Sequence, residues 1–227
     1  MTNAALIVAA GRGRRMAQST PKQYLMLAGQ PVVRHTLEAF LAAPDIHLVR
    51  VVIHPDDKDL YDIAVNGLTD PRLHEPVLGG ATRSASVGLG LAALENANPA
   101  TVLIHDAARP FCSPRLIGDV IASAEQADGA FAAIPVVDAL WRTAEGCAVS
   151  PVSREDVWRA QTPQAFDFRK ILDAHRNPQE DAADDVEIAL RAGLRVKVVH
   201  GDERNFKITQ PQDFERAERL IAALGRR

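Results

Sequence analysis

Apolar residues fall in short, nearly unbroken runs at residues 5–9, 48–54, 101–105, 130–136 and 195–200. Runs of this kind suit strands covered on both faces. Between them the spacing turns helical. Val33, Leu37, Phe40 and Leu41 share one stripe, and Phe214, Ala217, Ile221 and Leu224 share another near the C-terminus. The last helix has a start signal, Thr209 with Gln212 three residues on and Pro211 between. The alternation predicts an α/β fold: a doubly wound, mostly parallel twisted sheet with helices on both faces.

Residues 137–164 break this rhythm. Alternating segments flank Glu145-Gly146, a turn-forming pair, which predicts a β-arm projecting from the sheet. No internal repeat, low-complexity tract or linker divides the chain, so residues 1–227 are expected to form one domain with that arm. Trp141 and Trp158 stand on a segment too thin to bury two indoles. That predicts a partner surface, with packing back on the parent sheet as the alternative.

Composition narrows the classes. The chain has 227 residues, 26 Lys+Arg against 29 Asp+Glu, and a net charge of −3, which argues against a general nucleic-acid binder. With 47% hydrophobic and 24% charged residues it reads as an ordinary globular chain. Two cysteines, Cys112 and Cys147, exclude a disulfide scaffold and a CxxC site. The apolar run near the N-terminus is cut by Gly11 and Arg12 and follows no basic segment, unlike a secretory signal. No run approaches the roughly 20 apolar residues of a spanning helix. A cytoplasmic protein with reduced thiols and no membrane contact is expected.

Candidate chemistry sits at the strand ends. AAGRGRRM, residues 9–16, directly follows the first strand. A glycine turn there brings backbone N–H groups to a phosphate, and the following helix N-terminus adds positive potential. It lacks the GK[ST] ending of a Walker A loop. Met16 replaces the third glycine of a dinucleotide fingerprint, and no acidic residue follows at the required strand end. Arg12, Arg14 and Arg15 crowd the loop, and Pro21-Lys22-Gln23-Tyr24 comes next. Four cations at one phosphate-sized turn suit a triphosphate. The glycines alone would serve a structural turn; Arg15 and Lys22 beside them select phosphate binding.

GGATRSASV, residues 79–87, sets two glycines before a stretch rich in hydroxyls. It could present backbone groups to a base or ribose, or be a plain strand-to-helix turn. His105-Asp106-Ala107-Ala108-Arg109-Pro110 ends the third run, where ligands bind in open α/β sheets. Asp106 suits a metal–phosphate complex, a substrate hydroxyl or a cap of the next segment. Arg109 suits a bidentate phosphate contact. His105 reads as a core histidine. None of the seven His residues shows metal-ligand spacing, so no protein metal site is expected. Arg154, Gln161-Thr162-Pro163-Gln164, Asp184-Asp185 and Asn205-Phe206-Lys207-Ile208-Thr209 are bland when taken singly.

In this order the segments AAGRGRRM, PKQY, GGATRSASV, HDAARP, RAQTPQAF, DD and NFKIT resemble the 2-C-methyl-D-erythritol 4-phosphate cytidylyltransferase family of the non-mevalonate isoprenoid pathway. The likeness runs from Ala9 to Thr209. It is greatest to the N-terminal half of bifunctional enzymes that add a cyclodiphosphate synthase, a half without counterpart before Arg227. The resemblance implies a Rossmann-like nucleotidyltransferase fold and a homodimer with embracing arms. It puts CTP across Ala9, Ala10, Gly11 and Gly13, with Mg²⁺ held mainly by the CTP phosphates. It makes Arg15 and Lys22 transition-state stabilisers, and gives Arg154 and Lys207 the acceptor phosphate. Gly80, Ala81 and Ser86 match the cytosine-reading loop, and Arg83, Asp106, Ala107, Arg109 and Thr162 the remaining substrate shell. Two family hydroxyls are absent, at Ala139 on the arm and at Ala183 before Asp184-Asp185, which bears on acceptor binding.

The implied reaction moves CMP from CTP to 2-C-methyl-D-erythritol 4-phosphate and releases pyrophosphate. A phosphate monoester is already anionic at neutral pH, so the task is positioning and charge neutralisation. Cations rather than a Ser–His pair suit that task. The alternatives are a cytidylyltransferase for another polyol phosphate, such as ribitol phosphate, and a nucleotide-binding module without turnover. A nicotinamide oxidoreductase is disfavoured by the broken fingerprint.

Overall fold

The computed structural model describes residues 2–12, 20–176 and 182–225. In chain order the elements are β1 (Asn3–Ala9), β2 (Met26–Leu27), β3 (Gln30–Pro31), α1 (Val32–Leu41), β4 (Leu48–Ile53), α2 (Lys58–Val65), β5 (Val77–Leu78) and α3 (Arg83–Ala93). They continue with β6 (Thr101–Asp106), α4 (Pro114–Ala124), β7 (Gly129–Pro135), β8 (Leu140–Ala144), β9 (Cys147–Val152), β10 (Trp158–Asp167), α5 (Phe168–Arg176), α6 (Asp185–Arg191), β11 (Val196–His200) and α7 (Pro211–Leu224).

Seven strands form one sheet in the order β11-β7-β10-β6-β1-β4-β5. β1 runs parallel to β4 and β6, and β7 parallel to β11, while β10 is antiparallel to both its neighbours. Period-two alternation explains why the strands are apolar throughout. In β1, Ala5 and Ile7 meet Leu37, Phe40 and Ile117 on one face, whereas Ala4 and Leu6 meet Val87, Leu91 and Ile171 on the other. Each large side chain buried this way contributes roughly 1.5–3 kcal/mol. The expected α1 stripe is buried throughout. Of the α7 stripe only Ala217 is fully buried, and Leu224 is half exposed. The cap of α7 lies one residue later than expected. Gln210 caps it and Asp213 closes the box, because Pro211 takes the first helical position.

The arm is shorter than residues 137–164. β8 and β9 pair as a hairpin across Glu145-Gly146, both at positive φ, as a tight hairpin turn requires. The stretch from Trp158 belongs instead to β10, between β6 and β7. Its polar letters and Pro163 disguise a central strand. The register shifts between Ala160 and Gln164, the kind of irregularity that admits a proline inside a sheet.

β10 and β6 are joined behind the sheet's carboxyl edge by a chain of hydrogen bonds. The Asp106 backbone N–H donates to Thr162 Oγ1 at 3.1 Å, and Thr162 Oγ1 lies 3.1 Å from His105 Nδ1. His105 Nε2 lies 3.0 Å from the Arg109 carbonyl oxygen, so it donates there and Nδ1 accepts. The imidazole is fully buried, with its ring 4.6 Å from that of Phe40. Full burial favours a neutral ring in this wiring.

Burial lowers the His105 pKa from 6.5 to about 4, the hydrogen bond to Arg109 opposing the fall only in part. Between those values the unfolded chain takes up a proton that the folded chain refuses. The stabilisation is complete above pH 6.5 and is lost as pH falls toward 4. Across that window the wild type should lose on the order of 3 kcal/mol more stability than His105→Gln, which cannot titrate. Denaturant midpoints measured at several pH values check this; parallel curves would mean a ring that is charged or solvated in the fold.

Candidate active site

A cleft of about 790 Å³ opens beyond the carboxyl ends of β1, β4 and β6, the expected ligand position in an open α/β sheet. Its floor comes from the β1 end and the glycine turn, Ala9 to Arg12, and from Asp106 to Ala108 after β6. Its walls are Lys22 and Gln23, His54, residues 80–83 with Ser86, and Lys207 with Thr209.

The glycine turn is held from behind. Gln23 Nε2 donates to the carbonyl oxygens of Ala9 at 2.6 Å and Gly11 at 3.0 Å. The letters PKQY give Gln23 no role of its own, and the buried amide proves to be the clasp. The same 3-10 turn, Lys22–Tyr24, sets Lys22 at the cleft wall. Arg12 departs from the expected cluster of phosphate-binding cations. Its guanidinium pairs with Asp56 and with the buried Asp57, the latter at 3.1 Å, because the turn after β4 carries both carboxylates to it. Gly13, Arg14 and Arg15 lie outside the described residues.

The second loop is built on contact between neighbours. A Cβ on Gly79 would lie 2.7 Å from Ala10 Cβ and 2.8 Å from Ser86 Oγ, so only glycine lets the two loops meet. The Gly80 N–H donates to Ser86 Oγ at 3.1 Å, which fixes the turn beside Ala81. The hydroxyl of Thr82 caps α3 by accepting from the Ala85 N–H.

Asp106 is the electrostatic centre. Lys207 Nζ lies 2.8 Å from its carboxylate, and the Nε atoms of Arg83 and Arg109 each lie 3.8 Å away. Burial would raise its pKa, but Lys207, Arg83 and Arg109 outweigh burial and hold the carboxyl well below the usual range. The group therefore stays ionised across the working pH range. Arg83 is also bound at 2.7 Å to Asp185, which has no solvent exposure. Burial opposes the Arg83 charge, and Asp185 and Asp106 more than restore it.

The structure thus brings Ala9, Ala10, Gly11, Lys22, Gly80, Ala81, Arg83, Ser86, Asp106, Ala107 and Lys207 to one cleft. Three expected residues stand elsewhere. Arg109 is not among the cleft-lining residues and turns inward, donating from Nη1 to the Asn205 carbonyl oxygen at 2.9 Å, so it braces the NFKIT segment. Thr162 sits behind Asp106 in the hydrogen-bond chain. Arg154 is exposed on the arm and donates to the Val137 carbonyl oxygen. Asn205, bonded to the Thr162 carbonyl oxygen at 2.8 Å, and Gln164, bonded to Asp184 at 3.0 Å, are further organising groups. Only their burial, which no letter pattern shows, marks them out.

The cleft joins a glycine turn, the cations of Lys22, Arg83 and Lys207 and one carboxylate, Asp106. The model of the IspD family, 2-C-methyl-D-erythritol 4-phosphate cytidylyltransferase, matches residues 3–223. The protein of that name from Cereibacter sphaeroides is 51% identical over 222 residues, covering 98% of each chain. The bifunctional enzyme IspD/IspF of Paramagnetospirillum magneticum is 49% identical over 221 residues, which is 97% of this chain and 57% of that one. The crystal structure of 2-C-methyl-D-erythritol 4-phosphate cytidylyltransferase from Thermus thermophilus superposes with a TM-score of 0.77 at 34% identity, over 98% of this chain and 100% of that chain. With the cleft as described, these matches mean that the chain belongs to the 2-C-methyl-D-erythritol 4-phosphate cytidylyltransferase family.

Proposed function

We propose that the protein transfers CMP from CTP to 2-C-methyl-D-erythritol 4-phosphate in isoprenoid precursor biosynthesis. The observation that carries this is the meeting of Lys22, Arg83 and Lys207 around the glycine turn and the single carboxylate of Asp106. An acceptor phosphate oxygen attacks the α-phosphorus of CTP; that O–P bond forms as the bond to the β-phosphate oxygen breaks, and pyrophosphate leaves. The chain's part is to orient two polyanions and neutralise the charge that develops. Lys22, carried on a turn clasped by Gln23, supplies a fixed cation beside the glycine turn. By family likeness Arg15 is its companion. Lys207, now paired with Asp106, faces the acceptor. Ser86 and the Gly80–Ala81 backbone form the nucleobase wall.

Asp106 is the one acidic residue among the described residues lining the cleft, and no three His, Cys, Asp or Glu side chains gather there or elsewhere in the described residues. That donor set fits Mg²⁺ arriving with the nucleotide, held mainly by its phosphates, with Asp106 the carboxylate that the described residues would offer it. The ion would supply charge neutralisation on the phosphates. No described helix is long and apolar enough to cross a membrane, and Cys112 and Cys147 are free thiols, which suits a cytoplasmic enzyme.

Pyrophosphate release measured with each of four nucleoside triphosphates, and with methylerythritol phosphate against ribitol phosphate, tests the reading. Turnover should require CTP and methylerythritol phosphate. In the same assay Lys22→Met should keep the wild-type melting curve and lose about 100- to 1,000-fold in kcat, the usual effect of removing one preorganised charge-stabilising donor. Wild-type turnover by that variant would remove Lys22 from the mechanism.

We further propose a homodimer in which the arm of one protomer reaches its partner's cleft. Val137, Trp141 and Val149 are 67%, 57% and 64% exposed on and beside the hairpin, more apolar surface than a lone arm needs. Arg154 at the arm's base is exposed and is not among the residues lining its own cleft, which suits a role in the partner's. Arg154→Ala should raise KM for the acceptor about tenfold or more while KM for CTP stays within about twofold, as loss of ground-state binding does. Sedimentation should show a dimer at micromolar concentration. A monomer, or a loss confined to CTP, contradicts the arrangement.

A further inference from the structure

Asp185 is fully buried and does not line the cleft, yet it binds a residue that does. It opens α6, where the Gln164 side-chain carbonyl oxygen accepts from its backbone N–H at 3.2 Å. Its Oδ2 accepts from Arg83 Nη2 at 2.7 Å, and its Oδ1 lies 3.2 Å from His175 Nε2. His175 belongs to the last turn of α5 and lies over Gly88 of α3. Its side chain is 2% exposed.

Arg83 needs such an anchor. It is the first residue of α3, where the helix dipole disfavours a cation. Its side chain is long and flexible, and water in an open cleft would otherwise compete for it. A buried carboxylate left without its partner is costly, so Asp185 and Arg83 hold each other. With Nη2 tied to Asp185, the guanidinium keeps its Nε edge 3.8 Å from Asp106 Oδ1 at the cleft wall.

We propose that Asp185, itself oriented by His175, is a positioning residue that presets Arg83 for the anionic oxygens of the bound nucleotide. Neither residue touches substrate; both act through the Arg83 guanidinium. This inference rests on the nucleotidyl-transfer reading above.

A double-mutant cycle tests it, read both as kcat/KM for CTP and as the calorimetric dissociation constant for CTP. Wild-type turnover is the reference. If it is absent, the functional reading fails, and the CTP dissociation constant still decides the positioning claim. Asp185→Asn keeps shape and loses charge. It should weaken both quantities about 10- to 100-fold, the scale of a misplaced substrate-binding group. In the Arg83→Gln background the same change should cost less than about twofold, because no guanidinium remains to position. Losses that multiply, as independent contributions do, overturn the proposal. If Asp185→Asn lacks a cooperative melt, His175→Gln decides. It should cost about three- to tenfold alone and nothing further in Arg83→Gln, and equal losses in both backgrounds refute the relay.

Discussion

The site depends on one constraint: a largely buried carboxylate, Asp106, must be neutralised by cations, two of them brought from distant parts of the chain. Lys207 arrives from beyond β11, Arg83 from the start of α3, and Arg109 from the loop after β6 itself. Each is paired and partly ordered before substrate arrives. An enzyme that handles two polyanions gains from cations already in place, since their ordering cost has been met in folding. The carboxylate also keeps them from repelling one another while the cleft is unloaded.

The frame that holds Asp106 is the boundary between the parallel half of the sheet and antiparallel β10. β6 lies between β1 and β10, so its last residues are hydrogen-bonded on one side to a parallel strand and on the other to Thr162. Thr36 of α1 donates to the Ala107 carbonyl oxygen at 2.8 Å, fixing the next turn from the opposite face. The Ile208 N–H donates to the Ala108 carbonyl oxygen at 2.9 Å, which delivers Lys207 to the carboxylate. The chemistry at the cleft therefore inherits the rigidity of the core.

Much of this was legible in the letters. The five apolar runs became β1, β4, β6, β7 and β11, within one or two residues at their ends; the first four are largely buried and therefore apolar, while β11 is a mostly exposed edge strand. The loops carrying Gly11, Gly80 and Asp106 lie where sheet geometry puts ligands. What stayed hidden was long-range pairing. The first part of β10 reads as a piece of the arm because its buried groups include Gln161, Thr162 and Gln164, satisfied by hydrogen bonds rather than by apolar contact. Arg12 reads as a phosphate ligand from its glycine turn and Arg109 from its place after a strand end, because a cation there looks alike in sequence whether it faces solvent or an internal partner. Asp56 and Asp57, 44 and 45 residues away from Arg12, decide that difference, and Arg109 turns to a carbonyl 96 residues on. Spacing cannot show such pairs.

Asp106 gathers Lys207, Arg83 and Arg109 around one carboxylate. The most direct measurement is kcat/KM for CTP in Asp106→Asn, which keeps the shape and removes the charge, taken together with its melting curve. The variant should fold cooperatively with kcat/KM lowered about 100-fold or more, as expected when preorganised charge is lost. A folded variant with near wild-type kcat/KM would contradict this, since the cations would then hold their places without the carboxylate.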